Sequence, residues 1–328
     1  MAIVYHKELT KHVQWEGHPE SPFRVRTLKK KLMREGLWSD VITPVMITDN
    51  DVLKVHSAEH LARLRTHEDV LLDTDTILRP ATYGCAMLSA SVAATAVKLA
   101  SEGVPSLAVT RPPGHHAGRN TMGGFCFLNN AAIAVEAAGK RTAIIDIDAH
   151  HGNGTEEIFY GRDDVLMIDI HESGLYTVTG DVHDTGTGRG TGYTVNIPLP
   201  AGSGNAAYEK AVCEIVVPIL RQYRPELIVV SLGVDAHYCE PNTHMIMNSA
   251  GYISVCKRLI AESAEGKIAF VLEGGYHLRA TAEVVAGVMA AFEGRDISYE
   301  YNEERKETDG WAAEIERIKG CLSERWKL

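Results

Sequence analysis

Residues 146–152, with the sequence Asp-Ile-Asp-Ala-His-His-Gly, combine side chains that bind divalent metal ions. They follow an apolar run at residues 143–145, which predicts the end of a buried strand. Because side chains alternate between the two faces of a strand, Asp146, Asp148 and His150 point the same way. Burying two carboxylates and an imidazole is costly unless a cation or a hydrogen-bond network compensates. The segment therefore predicts a metal site, and a salt-bridged strand end is the alternative interpretation.

Three other predicted strands also end in reactive side chains. One leads through a rigid Pro-Pro-Gly turn into two adjacent histidines, His115 and His116. The next leads to Asp235, and a third leads through two glycines to Tyr276. Each of these ends also has a simpler interpretation: a surface histidine pair, a helix-capping aspartate, or a turn with a packed tyrosine.

The four strand ends are more informative together, because ligands of open parallel sheets bind beyond the carboxyl ends of the strands. Asp148, His150 and Asp235 would supply three ligands and leave one position open, as in catalytic metal sites. The metal would lower the pKa of a water molecule toward ~7 and polarise an amide carbonyl. A histidine would act as general base and then acid, and a tyrosine hydroxyl would donate to the developing oxyanion. The chain thus has one candidate residue or group for each task of a metal-dependent amide hydrolysis.

Strand-like and helix-like segments alternate along the chain and must position these residues. Continuous apolar strands separated by helices predict an α/β fold with a mostly parallel sheet and helices on both faces. No linker, low-complexity segment or repeat interrupts residues 1–328, which we interpret as a single domain. The predicted strands are residues 1–6, 106–109, 142–147, 165–170, 227–232 and 268–272, and the predicted helices are residues 24–34, 130–138, 154–159, 208–223, 250–264 and a C-terminal helix with Trp311, Ile315, Ile318 and Leu322 on its packed side.

The composition argues against several classes of protein. A net charge of −10 disfavours nonspecific nucleic-acid binding and favours cationic substrates or partners. No apolar run reaches the ~18 residues of a membrane span, and the N-terminus shows no signal peptide. The 6 cysteines form no Cys-x-x-Cys pair, which favours a reducing compartment. We therefore expect a cytoplasmic enzyme that binds neither nucleic acid nor membranes.

The same segments resemble the histone deacetylase family, which includes the acetylpolyamine amidohydrolases and the acetoin-utilisation proteins. The resemblance covers nearly the whole chain, and Asn153 and Thr155 are similar to the class II branch. It implies the arginase-like α/β fold and removal of acetyl groups from N-acetyl-lysine side chains of proteins, with acetylpolyamines as the alternative substrates. The motifs that carry it are residues 18–26, 111–116, 123–130, 146–154, 272–278 and 325–328.

The resemblance also implies roles for the site residues. The three ligands named above would hold one Zn²⁺, although a carboxylate-rich set also suits Fe²⁺. His116 would be the general base and acid, supported by Asn153, where class I members have an aspartate. This neutral partner makes the charged form of His116 less favourable. His115 would be the electrostatic histidine, oriented by Asp146, and Tyr276 would polarise the scissile carbonyl.

Other residues are assigned to the substrate channel by the same resemblance. Phe125 and Tyr176 would form its aromatic walls, with Gly124 beside them, and Arg24 would lie near an acetate-release cavity. The family also binds structural monovalent cations such as K⁺. The corresponding residues here are Asp146, Asp148, His150, Asp169 and Ile170.

Three alternatives concern the chemistry and the substrate. Arginase-like enzymes hold two manganese ions, but Gly152 and Gly233 stand where the second metal needs aspartates. A catalytically inactive reader of acyl-lysine would lack a ligand, the base or the tyrosine, and none is missing. Polyamine-selective relatives carry an acidic gatekeeper where this chain has Asn242, and residues 67–80 are too short for their insertion. A neutral amide cannot pair with a second ammonium group, so acetyl-lysine is favoured, while Glu240 and the net charge favour polyamines.

Overall fold

The computed structural model describes residues 1–39 and 41–328. The strands are β1 (Ala2–Val4), β2 (Val41–Ile42), β3 (Val70–Leu71), β4 (Ile77–Leu78), β5 (Ser106–Ala108), β6 (Thr142–Asp146), β7 (Val165–Glu172), β8 (Thr194–Leu199), β9 (Leu227–Leu232) and β10 (Ile268–Leu272). Within this part of the chain, eight strands form one parallel sheet in the order β2-β1-β5-β10-β9-β6-β7-β8, and β3 and β4 form an antiparallel hairpin. The four strands that lead into the predicted site, β5, β10, β9 and β6, are therefore neighbours at its centre.

Helices cover both faces of the sheet. They are α1 (Phe23–Arg34), α2 (Asp49–Val52), α3 (Ala58–Leu64), α4 (Thr82–Ser101), α5 (Asn130–Ala138), α6 (Asn153–Phe159), α7 (Asn205–Ala211), α8 (Val217–Tyr223), α9 (Ser249–Glu262), α10 (Leu278–Phe292) and α11 (Trp311–Leu322). Helices α4 and α5 pack on one face, and α1, α7, α9, α10 and α11 pack on the other. The predicted fold class, a mostly parallel α/β sheet between two helical layers, is confirmed.

Alternate residues of each central strand enter two separate hydrophobic cores. In β6, Ile144 packs with α4 and α5, whereas Ile145 packs with the helices of the opposite face. Val229 and Val230 of β9 divide in the same way. Because both faces of these strands are buried, their sequences are continuously apolar rather than alternating. For this reason, continuous apolar runs in the sequence predicted the central strands.

One predicted helix differs from the structure in its interior. Residues 208–223 are not a single α-helix, because a π-helical turn, Val212–Val216, separates α7 from α8. Pro218 lies at the start of α8 and has no N–H to donate to the preceding turn. The wider π-helical turn directly before it accommodates this missing bond. The boundaries of β9, β10 and α5 agree with the prediction.

The sequence pattern did not predict α4, β8 or α10. Helix α4 has no polar face, since residues 85–94 are all buried, so it lacks the amphipathic period that identifies a helix. With 20 residues and a mean hydropathy of 1.3, α4 is long and apolar enough to cross a membrane, contrary to the sequence analysis. In the structure 72% of its apolar window is buried inside the protein, as in a core helix.

Candidate active site

Asp148, His150 and Asp235 form a cluster beyond the carboxyl ends of β6 and β9. Nδ1 of His150 lies 3.1 Å from Oδ1 of Asp148 and 2.8 Å from Oδ2 of Asp235. The potential ligand atoms all lie within 4.8 Å of one another, and both aspartates are buried. The register of the two strands, with Asp146 opposite Ser231, brings the segments together. One cation can therefore be reached by all three predicted ligands.

Two glycines allow the backbone to approach this cluster. A Cβ atom at Gly274 would lie 2.4 Å from Oδ2 of Asp235 and 2.5 Å from Oδ2 of Asp148. A Cβ atom at Gly233 would lie 2.0 Å from Oδ2 of Asp148. Any side chain at these positions would displace the carboxylates. The aspartate that a dinuclear site would need at position 233 has no room in this packing.

The electrostatics of the cluster favour a bound cation. Burial and the neighbouring Asp148 raise the pKa of Asp235. Burial opposes the charged form of His150, but the carboxylates of Asp235 and Asp148 outweigh it and raise the pKa of His150 to about 10. The protein thus stabilises positive charge where the three side chains meet. Two carboxylate oxygens and one imidazole nitrogen are suitable donors for a divalent metal ion, so the residues fit the predicted cofactor.

His115 and His116 follow β5, and their rings lie side by side at an interplanar angle of 44°, with centroids 4.0 Å apart. Nδ1 of His115 lies 3.1 Å from Oδ2 of Asp146, and Nδ1 of His116 lies 2.7 Å from Oδ1 of Asn153. The side-chain oxygen of Asn153 accepts a hydrogen bond from the Nδ1–H group of His116, which leaves Nε2 of that ring with a free lone pair. Each histidine therefore has a different orienting partner, as predicted from the sequence motifs.

The two histidines differ in charge. Burial opposes the charged form of His115, but Asp148 and Asp146 outweigh it and raise its pKa well above the ordinary value. Burial and the adjacent charge of His115 lower the pKa of His116 well below the ordinary value. Because His116 is held neutral, it can accept a proton. The raised pKa favours the protonated form of His115, which acts through its charge or as a hydrogen-bond donor.

Tyr276 lies between β10 and α10 in a segment that we call the tyrosine loop (residues 273–277). The buried guanidinium of Arg24 donates to the carbonyl oxygens of Glu273 and Gly275, the second at 2.9 Å. Its central carbon also lies 4.8 Å from the ring centroid of Tyr276. Arg24 therefore fixes both the backbone and the ring of the tyrosine loop.

A cavity of about 290 Å³ leads to these groups. Phe125 and Tyr176 form aromatic walls, since their ring centroids lie 5.4 Å from Tyr276 and 4.9 Å from His116, respectively. The exposed Tyr176 and Asn242 mark its mouth, whereas the aspartate ligands lie at its buried end. It is lined by Pro19, Asp75, His115, His116, Gly124, Phe125, Asp148, His150, Tyr176, Asp235, Asn242 and Tyr276.

Most of the predicted site residues line this cavity, and three do not. Asp146, Asn153 and Arg24 instead contact His115, His116 and Tyr276, as described above. The sequence analysis missed Asp75 and Pro19, which also line the cavity. The sequence signal for Asp75 is a short run with aspartates at positions 69, 73 and 75, but only the fold brings this run to the mouth.

A second group of potential ligands, His115, Cys126 and Glu273, lies nearby. One oxygen of the Glu273 carboxylate already accepts the backbone N–H groups of Gly114 at 2.6 Å and His115 at 3.2 Å. These bonds tie the tyrosine loop to the histidine turn. Glu273 therefore has a structural role, and Asp148, His150 and Asp235 form the candidate site for a divalent metal.

Comparisons with known proteins agree with this geometry. The family model of the histone deacetylase domain matches residues 18–292. A probable deacetylase of Archaeoglobus fulgidus is 38% identical over 312 residues, which cover 90% of this chain and 87% of that protein. A histone deacetylase-like amidohydrolase of Pseudomonas aeruginosa is 38% identical over 277 residues, which cover 79% of this chain and 73% of that protein.

A solved structure extends the similarity to the fold. The crystal structure of the HDA15 HD domain superposes with a TM-score of 0.92 and 29% sequence identity, over 99% of this chain and 94% of that chain. The domain match at residues 18–292 spans the segments that build the cavity, and the superposition covers 99% of this chain. The chain is a member of the histone deacetylase family.

Proposed function

We propose that the protein is a zinc-dependent hydrolase that removes acetyl groups from N-acetyl-lysine side chains of proteins or peptides. The observation that carries this proposal is the single cavity that brings together three metal donors, a neutral histidine and a tyrosine. Membership of the histone deacetylase family supports amide hydrolysis of an acetylated substrate.

Each step of the reaction has a side chain to perform it. A divalent metal held by the three donors would activate water and polarise the acetamide carbonyl. His116, whose Nδ1 proton is held by Asn153, takes a proton from the attacking water at Nε2 and returns it to the leaving amine. The hydroxyl of Tyr276 donates a hydrogen bond to the carbonyl oxygen as it becomes negative. The charge on His115, maintained by Asp146, stabilises the same developing charge.

We expect one tightly bound divalent metal per chain, because the three donors converge on one point and Gly233 excludes a further carboxylate. Zinc is the expected ion, and Fe²⁺ suits the same donors. Elemental analysis of the purified protein measures the number of divalent metal ions per chain. Removal of the ion with a chelator is expected to abolish turnover, and added Zn²⁺ to restore it. Two tightly held divalent ions per chain would contradict the mononuclear site.

A K⁺ ion near the paired residues Asp146 and Asp169 remains a separate expectation.

The walls of the cavity suit the long aliphatic stem of acetyl-lysine. Phe125 and Tyr176 present aromatic surface along it, and the exposed gatekeeper position is the neutral Asn242. One observation favours acetylpolyamines as a second candidate: the carboxylate of Asp75 also lines the cavity. Burial and the neighbouring Asp73 raise the pKa of Asp75, so a substrate ammonium group bound there would relieve repulsion between the two carboxylates.

Relative kcat/KM values for acetyl-lysine peptides, acetylputrescine and acetylspermidine decide between these substrates. We expect the peptides to be preferred by the wild-type enzyme. Asp75→Asn is expected to lower kcat/KM for acetylspermidine by about tenfold more than for a peptide without basic neighbours, which corresponds to about 1.4 kcal/mol. The matched control is Asp296→Asn, which changes net charge equally at a position where the side chain is 90% exposed. A wild-type preference for acetylpolyamines above tenfold would overturn the choice of acetyl-lysine.

A further inference from the structure

Glu240 is a buried carboxylate that no step of the proposed reaction uses. Its Oε2 accepts the backbone N–H groups of Tyr276 at 2.8 Å and His277 at 3.0 Å. Its Oε1 is also buried, and within residues 1–39 and 41–328 it has no hydrogen-bond partner. A buried carboxylate is costly to desolvate, so the two bonds to the tyrosine loop are the main compensation that its surroundings offer.

The tyrosine loop needs support because two glycines precede Tyr276. Gly275 has a φ of +108°, a conformation that other residues rarely adopt, and glycines leave the backbone many alternatives. Arg24 donates hydrogen bonds to the backbone carbonyl oxygens of this loop, as described above. Glu240 accepts hydrogen bonds from the backbone N–H groups of the same loop. The two side chains thus restrain complementary backbone groups of one glycine-containing segment.

The position of Glu240 in the chain links this support to the metal cluster. Asp235 precedes Glu240 by five residues in the same loop after β9. The backbone N–H of Glu240 donates to the carbonyl oxygen of His237 at 2.8 Å, which closes a turn within that loop. One compact loop therefore carries both a metal ligand and the acceptor for the tyrosine loop.

We propose that Glu240 is a positioning residue that places the Tyr276 hydroxyl relative to the metal cluster. The inference rests on the proposed function, because it concerns the donor that Tyr276 supplies to the reacting carbonyl. Displacement of a catalytic group by about 1 Å can reduce turnover by about 10²-fold. A carboxylate that fixes the backbone of Tyr276 therefore affects the rate without contacting the substrate.

A double-mutant cycle with Tyr276→Phe tests this role in the full-length, metal-loaded enzyme. We expect Glu240→Ala alone to lower kcat on the order of tenfold, with little change in KM. This loss is smaller than the loss of about 10²-fold that displacement of a catalytic group by about 1 Å can cause. Tyr276→Phe alone is expected to lower kcat by about 10²-fold, as for removal of one oxyanion donor. The double variant is expected to be no slower than Tyr276→Phe. Glu240→Gln should keep most of the turnover, because its amide oxygen can accept the same two N–H groups.

Glu283 provides the matched control. It is buried and accepts the backbone N–H groups of Glu300 at 2.7 Å and Tyr301 at 2.9 Å, a similar arrangement that leaves the tyrosine loop untouched. Hydrogen exchange followed by mass spectrometry is expected to show faster exchange of residues 273–277 in Glu240→Ala but not in Glu283→Ala. If Glu240→Ala does not fold, Glu240→Asp replaces it in the cycle, because a shorter carboxylate cannot reach both N–H groups.

The outcomes separate this inference from the proposed function. If Glu240→Ala lowers kcat by the same factor in the wild-type enzyme and in Tyr276→Phe, the positioning role is overturned. Loss of bound metal in Glu240→Ala would overturn it as well, since the effect would then act through Asp235. Undiminished turnover in Tyr276→Phe is a different result, because it contradicts the proposed mechanism and removes the inference with it.

Discussion

Replacing His116 with alanine is expected to lower kcat for deacetylation by about 10²–10⁴-fold, the range for loss of a general acid–base group. The physical reason is the difference in pKa between the two adjacent histidines. His116 is kept neutral by burial and by the adjacent charge of His115, and its Nδ1 is bound to Asn153. Only its Nε2 can therefore accept a proton, and the alanine variant has no group to replace it.

Single-turnover and steady-state kinetics of His116→Ala, with metal content measured on the same preparation, check this expectation. The metal should remain at the wild-type ratio, because His116 is not one of the three clustered donors. His115→Ala is the matched comparison and is expected to be less damaging, since His115 contributes charge rather than proton transfer. A much larger loss for His115→Ala than for His116→Ala would reverse the assignment of the two roles.

Replacing Arg111 with alanine is expected to lower the free energy of unfolding by about 3–5 kcal/mol, the cost of leaving one partner of a buried ion pair alone. Nε of Arg111 lies 2.7 Å from Oε1 of Glu20, and both side chains are fully buried. Burial would raise the pKa of Glu20, but Arg111 together with His12, Arg24 and His18 outweighs burial and lowers this pKa, which favours the charged carboxylate. Arg111 also donates to the carbonyl oxygen of Leu9 at 2.7 Å.

Urea unfolding followed by circular dichroism measures this change. The control is Arg189→Ala, which removes a guanidinium from an ion pair of 2.7 Å with Asp163 whose arginine is 81% exposed. Solvent screening makes such a surface pair weak. The urea midpoint of Arg189→Ala should therefore stay close to that of the wild-type protein. Similar midpoints for the two arginine variants would show that Glu20 finds other compensation, for which Arg24 and His12, each at 3.6 Å, are the candidates.

The central strands and the residues after them were predictable because both signals are local. Residues 227–232 and 268–272 are apolar runs with turn residues behind them, and the structure places β9 and β10 at these positions. Helix α4 was not predictable in this way, because its consecutive buried residues leave no periodic polar face. A uniformly apolar segment carries little information about which of its sides meets the core.

Asp75 and Glu240 show the corresponding limit for the site. Asp75 reaches the cavity only because the segment around the β3–β4 hairpin packs near Gly124, whose N–H donates to Asp73 at 2.9 Å. Glu240 contacts Tyr276 across a separation of 36 residues. Neither carboxylate belongs to a strand-end motif, so its neighbours depend on how distant segments pack. Local patterns identified the side chains that directly follow strands, but not Asp75 and Glu240, whose contacts depend on packing between distant segments.

The strand order also constrains how the protein is made. β10 follows every other strand in the sequence, yet it lies between β5 and β9 in the middle of the sheet. Until β10 leaves the ribosome, β5 and β9 cannot pair with it, and each presents an open edge of unpaired N–H and carbonyl groups. Such edges template association with other chains. A nascent chain therefore contains its three proposed metal ligands before β10 is available to pair with β5 and β9, and we expect its exposed strand edges to favour aggregation until β10 is inserted.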